Sequence, residues 1–176
     1  MPRTIVLARQ FDSTLDELAS LDRESNGILL YRRQEDYCPI ESIFMTGIGT
    51  TGHVSAEKER MDIANEFFRR HLDYNFVKFH THSRGTISEH GDYYATHFSE
   101  GDNQSYEAQL RDNPDFIGMV VTPSIKLLYA PDNPTIRIVR GFPSEANSRI
   151  NAELKQIAAT MGYDIRRFEA TRKRRT

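Results

Sequence analysis

The sequence predicts an α/β fold with a single main domain. Apolar segments of strand length recur along the chain, and they alternate with amphipathic segments of helix length. The 176 residues are enough for one domain with a sizeable core. With 38% hydrophobic and 27% charged residues, the composition is that of an ordinary soluble globular protein.

The first part of the chain is predicted as strand, helix, strand and strand. Residues 4–8 form an apolar strand. Residues 13–21 carry an N-cap candidate, acids in the first turn and an apolar stripe, which together predict a helix ending near Glu24. Residues 27–31 are a continuous apolar run, typical of a strand buried on both faces, and residues 41–46 are a further strand.

Two features beside the predicted strand at residues 41–46 need an interpretation. Residues 34–39 are polar with a turn at Pro39, so Cys38 is interpreted as an incidental loop thiol rather than a nucleophile. Residues 47–52 have the spacing G-x-G-x-x-G. We interpret them as a flexible loop and not as a dinucleotide site, because the next helix starts later, at Ser55, and the next strand ends in histidines rather than in an acidic residue.

The strongest predicted helix spans residues 55–72, with Ser55 as its cap and an apolar stripe along one side. Residues 76–79 begin the next strand, because they are rich in aromatic and β-branched side chains. Three more strands follow, at residues 116–122, 125–130 and 135–140.

The chain closes with a predicted helix and a basic segment. The helix begins at Ser144 or Asn147 and runs to about Met161. We therefore expect a domain over residues 1–162. Residues 163–176 contain six basic residues and are predicted to be a solvated, flexible tail, with docking to an acidic partner as the alternative.

Charge and composition exclude several classes of protein. The net charge of −2 argues against nucleic acid as the main partner, and a single cysteine excludes an intramolecular disulfide. No apolar run approaches the ~20 residues needed to cross a bilayer, and the first apolar strand is too short for a signal peptide. We therefore expect a cytoplasmic protein without a membrane partner.

A pair of histidines ends the strand that begins at residue 76. Because strand side chains alternate between faces, His80 and His82 project from the same face about 7 Å apart, with Thr81 on the other face. Two neutral imidazoles on one strand can take two corners of a tetrahedral zinc site. Taken alone, an H-x-H pair is more often two half-exposed histidines, so other ligands are needed for this interpretation.

The residues around this pair supply such ligands. Ser99-Glu100-Gly101-Asp102 follows the histidines and precedes a helix and an apolar strand, and upstream Glu24 leads into the strand at residues 27–31. This order of a distant Glu, H-x-H and S-x-x-D resembles the signature of the JAMM (MPN-plus) metalloproteases. The resemblance implies a three-layer α-β-α sandwich with a mixed sheet, as in the zinc deaminases. The deaminases themselves are excluded, because their site needs a P-C-x-x-C motif.

The resemblance also implies a site and a reaction. His80, His82 and Asp102 would hold Zn²⁺ and leave the fourth position to water, Glu24 would be the general base, and Ser99 would donate a hydrogen bond to the oxyanion. The implied activity is zinc-dependent hydrolysis of an isopeptide or peptide bond at the C-terminus of ubiquitin or a ubiquitin-like protein, by the chain alone or within a proteasome-like assembly. The alternatives are a peptidase or amidase acting on sulfur-carrier proteins or small peptides, and a non-catalytic MPN scaffold.

The chain departs from the family pattern after the second histidine. Sixteen residues separate His82 from Ser99, which is longer than the family's usual spacing, and Ser83 stands where the family commonly has proline. Asp92 is therefore an alternative third ligand. Asp102 is preferred because it keeps the S-x-x-D spacing.

Residues 85–97 are accordingly interpreted as an insertion that walls the cleft. Its two tyrosines, Tyr93 and Tyr94, are expected to pack there or to touch substrate. A fourth protein ligand from His90 or His97 would instead close the zinc site and make it structural, because catalytic zinc sites keep one position open.

Overall fold

The structure is a computed structural model that describes residues 2–32, 34, 36–141 and 144–164. Seven strands and five α-helices are formed within them. The strands are β1 (Thr4–Ala8), β2 (Ser25–Arg32), β3 (Tyr37–Ile48), β4 (Tyr74–Thr81), β5 (Ile117–Val121), β6 (Lys126–Tyr129) and β7 (Thr135–Val139). The helices are α1 (Arg9–Ala19), α2 (Lys58–Arg70), α3 (Arg84–His90), α4 (Glu100–Asp112) and α5 (Ser144–Thr160), and a 3₁₀ helix spans Asp92–Ala95.

The strands form one mixed sheet in the order β6-β5-β4-β2-β3-β1-β7. β1 is parallel to β3 and to β7, and β4 is parallel to β5. The pairs β2–β3, β2–β4 and β5–β6 are antiparallel. The predicted α/β class with a mixed sheet is therefore confirmed. No helix of the described residues is long and apolar enough to cross a membrane.

Helices cover both faces of this sheet. On one face α1 buries Phe11 and Leu15 against inward side chains of the central strands, among them Val77. On the other face α2 and α5 pack on β2, with Phe67 and Ile157 fully buried. The central strands are buried on both faces, as residues 27–31 predicted, because helices lie above and below them.

The face of each β4 residue determines where the histidines point. Val77 and Phe79 belong to the core beneath α1, so Phe76 and His80 lie on the opposite face, as strand alternation requires. α4 packs on that same face through Tyr106, whose ring lies over Gly118 of β5. A Cβ at Gly118 would stand 2.8 Å from the ring, so the glycine lets Tyr106 approach the sheet next to β4.

Helix boundaries are where the predictions from the sequence are wrong. α1 begins at Arg9, directly after β1, rather than at Ser13, because burial of Phe11 extends the helix towards the strand. α2 begins at Lys58 rather than at Ser55 and ends at Arg70, which leaves Leu72 at 90% exposure instead of on the apolar stripe. Tertiary packing outweighs local capping preference at these ends.

The predicted turn at Pro39 is also wrong. Pro39 lies inside β3 and is paired with Val6 of β1, and Cys38 is a buried core residue and not a loop thiol. Burial of Cys38 and Ile40 beneath α1 outweighs the turn preference of the proline.

The last helix agrees with its prediction. It begins at Ser144, and its predicted apolar face is buried: Ile150, Leu154, Ile157 and Ala158. Residues 165–176, which make up most of the predicted basic tail, lie outside the described residues.

Candidate metal centre

Three side chains meet where β4 ends and α4 begins. His80 Nε2 lies 2.9 Å from Asp102 Oδ1, and His82 Nε2 lies 3.1 Å from Asp102 Oδ2. The two imidazole centroids are 5.2 Å apart, and one ligand atom from each of the three residues lies within 4.8 Å of the others. Among residues 2–32, 34, 36–141 and 144–164, this is the group of His, Cys, Asp and Glu side chains that could hold a metal ion.

Asp102 is held in place by the start of α4. Ser99 is the N-cap of this helix. The Ser99 Oγ accepts a hydrogen bond from the Asp102 backbone N–H at 3.1 Å, and the Ser99 backbone N–H donates to Asp102 Oδ2 at 2.7 Å. This reciprocal pair is a capping box, in which the spacing of three residues is set by helix geometry. The helix therefore begins at Glu100, directly after its cap. The S-x-x-D motif thus fixes the helix start and aims the carboxylate at the histidines.

The outer nitrogens of both imidazoles are also engaged. The Tyr106 hydroxyl donates its single hydrogen to the Met119 carbonyl at 3.2 Å, so at 3.0 Å it accepts from His80 Nδ1–H. His82 Nδ1–H donates to the Tyr94 carbonyl at 2.9 Å. A carbonyl can only accept, so each ring carries a hydrogen on Nδ1. Each ring then directs Nε2 towards the Asp102 carboxylate.

These hydrogen bonds require a positive charge between the two imidazoles and the Asp102 carboxylate. A neutral imidazole with hydrogen on Nδ1 presents a lone pair at Nε2, and a lone pair does not bind a carboxylate oxygen. Positive charge must therefore sit between the rings and Asp102, either as ring protons or as a cation. Two imidazoles with bonded Nδ1 groups and one carboxylate are a common set of metal ligands, so His80, His82 and Asp102 fit a metal ion.

Neighbouring groups shift the pKa values of His82 and Asp102 in opposite directions, and both shifts favour the charged form. Burial lowers the pKa of His82, but its hydrogen bonds with Asp102 and with the Tyr94 carbonyl outweigh burial, so the net shift is upward. Burial raises the pKa of Asp102, but the hydrogen bonds from His80 and His82 outweigh it and hold the pKa far below its ordinary value. In the protein without a cation, both shifts therefore favour the charged forms of His82 and Asp102.

A pH dependence of stability follows for the chelator-treated protein. The His82 contribution is complete below the ordinary imidazole pKa of about 6.5 and is lost as pH rises through the raised folded value. The Asp102 contribution is complete above about pH 4 and is lost as pH falls through the lowered folded value. Urea unfolding should give a higher free energy at about pH 5.5 than at about pH 8.5, and this difference should shrink in Asp102→Asn. An equal difference in that variant would contradict the assignment.

Glu24 lies next to this cluster, directly before β2. The charges of His80, His82 and Asp102 all act on its carboxylate, and Asn26, two residues further along the chain, is paired with His80 of β4. The carboxylate is 5% exposed, and burial raises its pKa despite a hydrogen bond from Thr86 and the charges of the two histidines. A raised pKa in a carboxylate suits proton transfer near neutral pH.

The remaining candidates lie outside the cluster. Asp92, the alternative third ligand, is exposed in the 3₁₀ helix. His90 contacts Gly52, and His97 stacks on Tyr93 at 4.4 Å between ring centroids, so neither belongs to the metal-ligating group of the described residues. The group therefore has three protein ligands.

The predicted insertion is folded and not an open loop. It forms α3 and the 3₁₀ helix, and Tyr94 packs its ring 5.2 Å from that of His82, while Tyr93 is 58% exposed. Two contributors were missed from the sequence. The contact of Tyr106 with the site could have been predicted, because Tyr106 lies four residues after Asp102 on the same helix face. The role of Thr86 could not have been predicted, because it depends on how residues 84–95 fold.

Removing the Tyr106 hydroxyl should weaken metal binding. Tyr106→Phe leaves the His80 Nδ1–H without its acceptor, and such outer partners are typically worth 10–100-fold in metal affinity. Zinc competition against a chromogenic chelator should therefore show a loss of about that size. Tyr129→Phe is the matched control, since Tyr129 packs on Tyr106 and lies outside the metal-ligating group of the described residues. Unchanged affinity in Tyr106→Phe would contradict the role.

The chain was compared with known proteins. No family model matches it, and no curated protein matches it. Among solved structures it is similar to the solution structure of protein DSY2949 from Desulfitobacterium hafniense, with a TM-score of 0.53 and 16% sequence identity. The match covers 82% of this chain and 98% of that chain. At this identity the likeness concerns the fold alone.

Proposed function

We propose that this chain is a zinc-dependent hydrolase of amide bonds, of the JAMM type. One observation carries the proposal: His80, His82 and Asp102, which are distant in sequence, converge with both Nε2 atoms on one carboxylate. Glu24 is buried near enough for the charges of His80, His82 and Asp102 to act on its carboxylate, as expected of a general base. The architecture with helices on both faces of a mixed sheet is compatible with the JAMM sandwich.

The residues would divide the reaction as follows. A bound Zn²⁺ would polarise the amide carbonyl and lower the pKa of water to about 7. Glu24 accepts the proton of the attacking water and gives it to the departing amine, because its pKa is raised by burial. The Ser99 Oγ accepts from the helix backbone, so its hydrogen is free to be donated to the oxyanion.

The substrate class follows from the JAMM resemblance. We propose an isopeptide or peptide bond at the C-terminus of ubiquitin or a ubiquitin-like protein, cleaved in the cytoplasm. The exposed Tyr93 and His97, stacked together on the segment that follows His82, offer a flat aromatic surface for an extended peptide.

The test is a cleavage panel with zinc-loaded protein. Ubiquitin and ubiquitin-like proteins carrying a C-terminal amide-linked reporter are compared with short reporter peptides, each with and without a chelator. The proposal expects chelator-sensitive release from at least one ubiquitin-like fusion. Release from short peptides alone would move the assignment to a peptidase or amidase. Zinc binding without any release would leave the non-catalytic scaffold.

A further inference from the structure

The segment that follows His82 forms hydrogen bonds with the proposed base, Glu24, and with the proposed metal ligand His82. α3 begins at Arg84 with Ser83 as its N-cap, and Ser83 Oγ accepts a hydrogen bond from the Thr86 backbone N–H at 3.2 Å. Thr86 is fully buried, although helix α3 has only seven residues. A buried hydroxyl needs polar partners, so the hydrogen bonds of Thr86 identify the groups that α3 orients.

The Thr86 hydroxyl has two partners besides Ser83. It donates to Glu24 Oε1 at 2.9 Å, and it accepts from the Gly52 backbone N–H at 3.2 Å. The Ser83 hydroxyl lies 3.0 Å away on its remaining side. A carboxylate oxygen accepts, so the single hydrogen of Thr86 goes to Glu24, and the contact with Ser83 is then one in which Ser83 donates.

The backbone of Glu24 is held by the glycine-rich loop that also contains Gly52. Its N–H donates to the Thr50 carbonyl at 3.2 Å, and its carbonyl accepts from the Gly49 N–H at 2.9 Å. The glycine-rich loop therefore fixes the main chain of Glu24, while Thr86 fixes one oxygen of its side chain. The second oxygen is the one left to exchange a proton.

We propose that Thr86 is a positioning residue for the base Glu24, and that this is the role of the α3 segment. The inference deepens the proposed function and rests on it. Tyr94, later in the same segment, bonds His82 through its carbonyl, so one inserted segment orients both a ligand and the base. Thr86 acts through Glu24 and touches no ligand. Its loss should therefore change turnover and not metal content.

The test compares Thr86→Val with Thr86→Ser. Valine has nearly the shape of threonine and no hydroxyl, so kcat should fall about 10-fold or more, with KM and zinc content unchanged. Serine keeps the hydroxyl and should recover most of kcat. Thr122→Val is the matched control, because Thr122 is equally buried and its hydroxyl forms hydrogen bonds within the β5–β6 turn. Wild-type kcat in Thr86→Val, or no recovery in Thr86→Ser, would overturn the inference.

Two further readouts separate this inference from the proposed function. In zinc-free protein the Gly52 amide should exchange faster with solvent in Thr86→Val and not in Thr86→Ser, which tests the contact without any activity. In a Glu24→Gln background, Thr86→Val should cost nothing more in turnover, because both changes act on one base. Hydrolysis by wild type and Thr86→Val alike refutes the positioning role alone, and no hydrolysis by wild type refutes both.

Discussion

Replacing Glu24 by glutamine is expected to abolish amide hydrolysis and to leave zinc bound. Glutamine has the same shape and still accepts the hydrogen bond from Thr86, but it cannot take a proton from water. General-base catalysis is typically worth 10²–10⁴ in rate, so kcat should fall by about that factor. Cleavage kinetics and zinc content, measured on the same preparation, give both numbers.

The control for this change is Glu107→Gln. Glu107 is exposed on α4, and its replacement removes one carboxylate at a solvent-facing position. Its turnover should stay at the wild-type value. Turnover that survives in Glu24→Gln would show that another group is the base, while a loss of zinc in that variant would show that Glu24 contributes to metal binding.

Replacing Asp102 by asparagine is expected to remove zinc and, with it, all hydrolysis. Asparagine keeps an oxygen that can accept the Ser99 N–H and so preserves the capping box, but it carries no negative charge to balance the cation. Zinc per chain after dialysis should fall from about one to near zero. The far-ultraviolet circular dichroism should stay the same, because α4 keeps its cap.

Asp92→Asn is the matched control, and it also decides between the two candidate ligands. Asp92 is exposed and lies outside the metal-ligating cluster, so its replacement should change neither zinc content nor turnover. If Asp92→Asn lost zinc and Asp102→Asn kept it, the ligand set drawn from the structure would be wrong.

Local periodicity was sufficient to predict part of this centre. Strand alternation alone puts His80 and His82 on one face, since the period of two is a property of the backbone. The Ser99 and Asp102 spacing is also local, and the resemblance led us to interpret it as a ligand motif, whereas its role as the cap of α4 was found only in the structure. Both are short-range patterns, and for that reason they can be read without a structure.

Long-range contacts could not be predicted in the same way. The bond from Thr86 to Glu24 joins residues 62 positions apart, and no spacing rule relates them. The proline at position 39 was expected to turn the chain, whereas burial of its neighbours on a central strand decided otherwise. Where tertiary burial competes with local preference, the sequence alone does not determine the outcome.

Anomalous scattering at the zinc absorption edge, recorded from crystals of the zinc-loaded protein, tests the central claim most directly. The account predicts a single peak between the Nε2 atoms of His80 and His82 and the carboxylate of Asp102, at about 2.0–2.2 Å from each ligand atom. A peak that is absent there, or that lies at Asp92 or His97 instead, would contradict it.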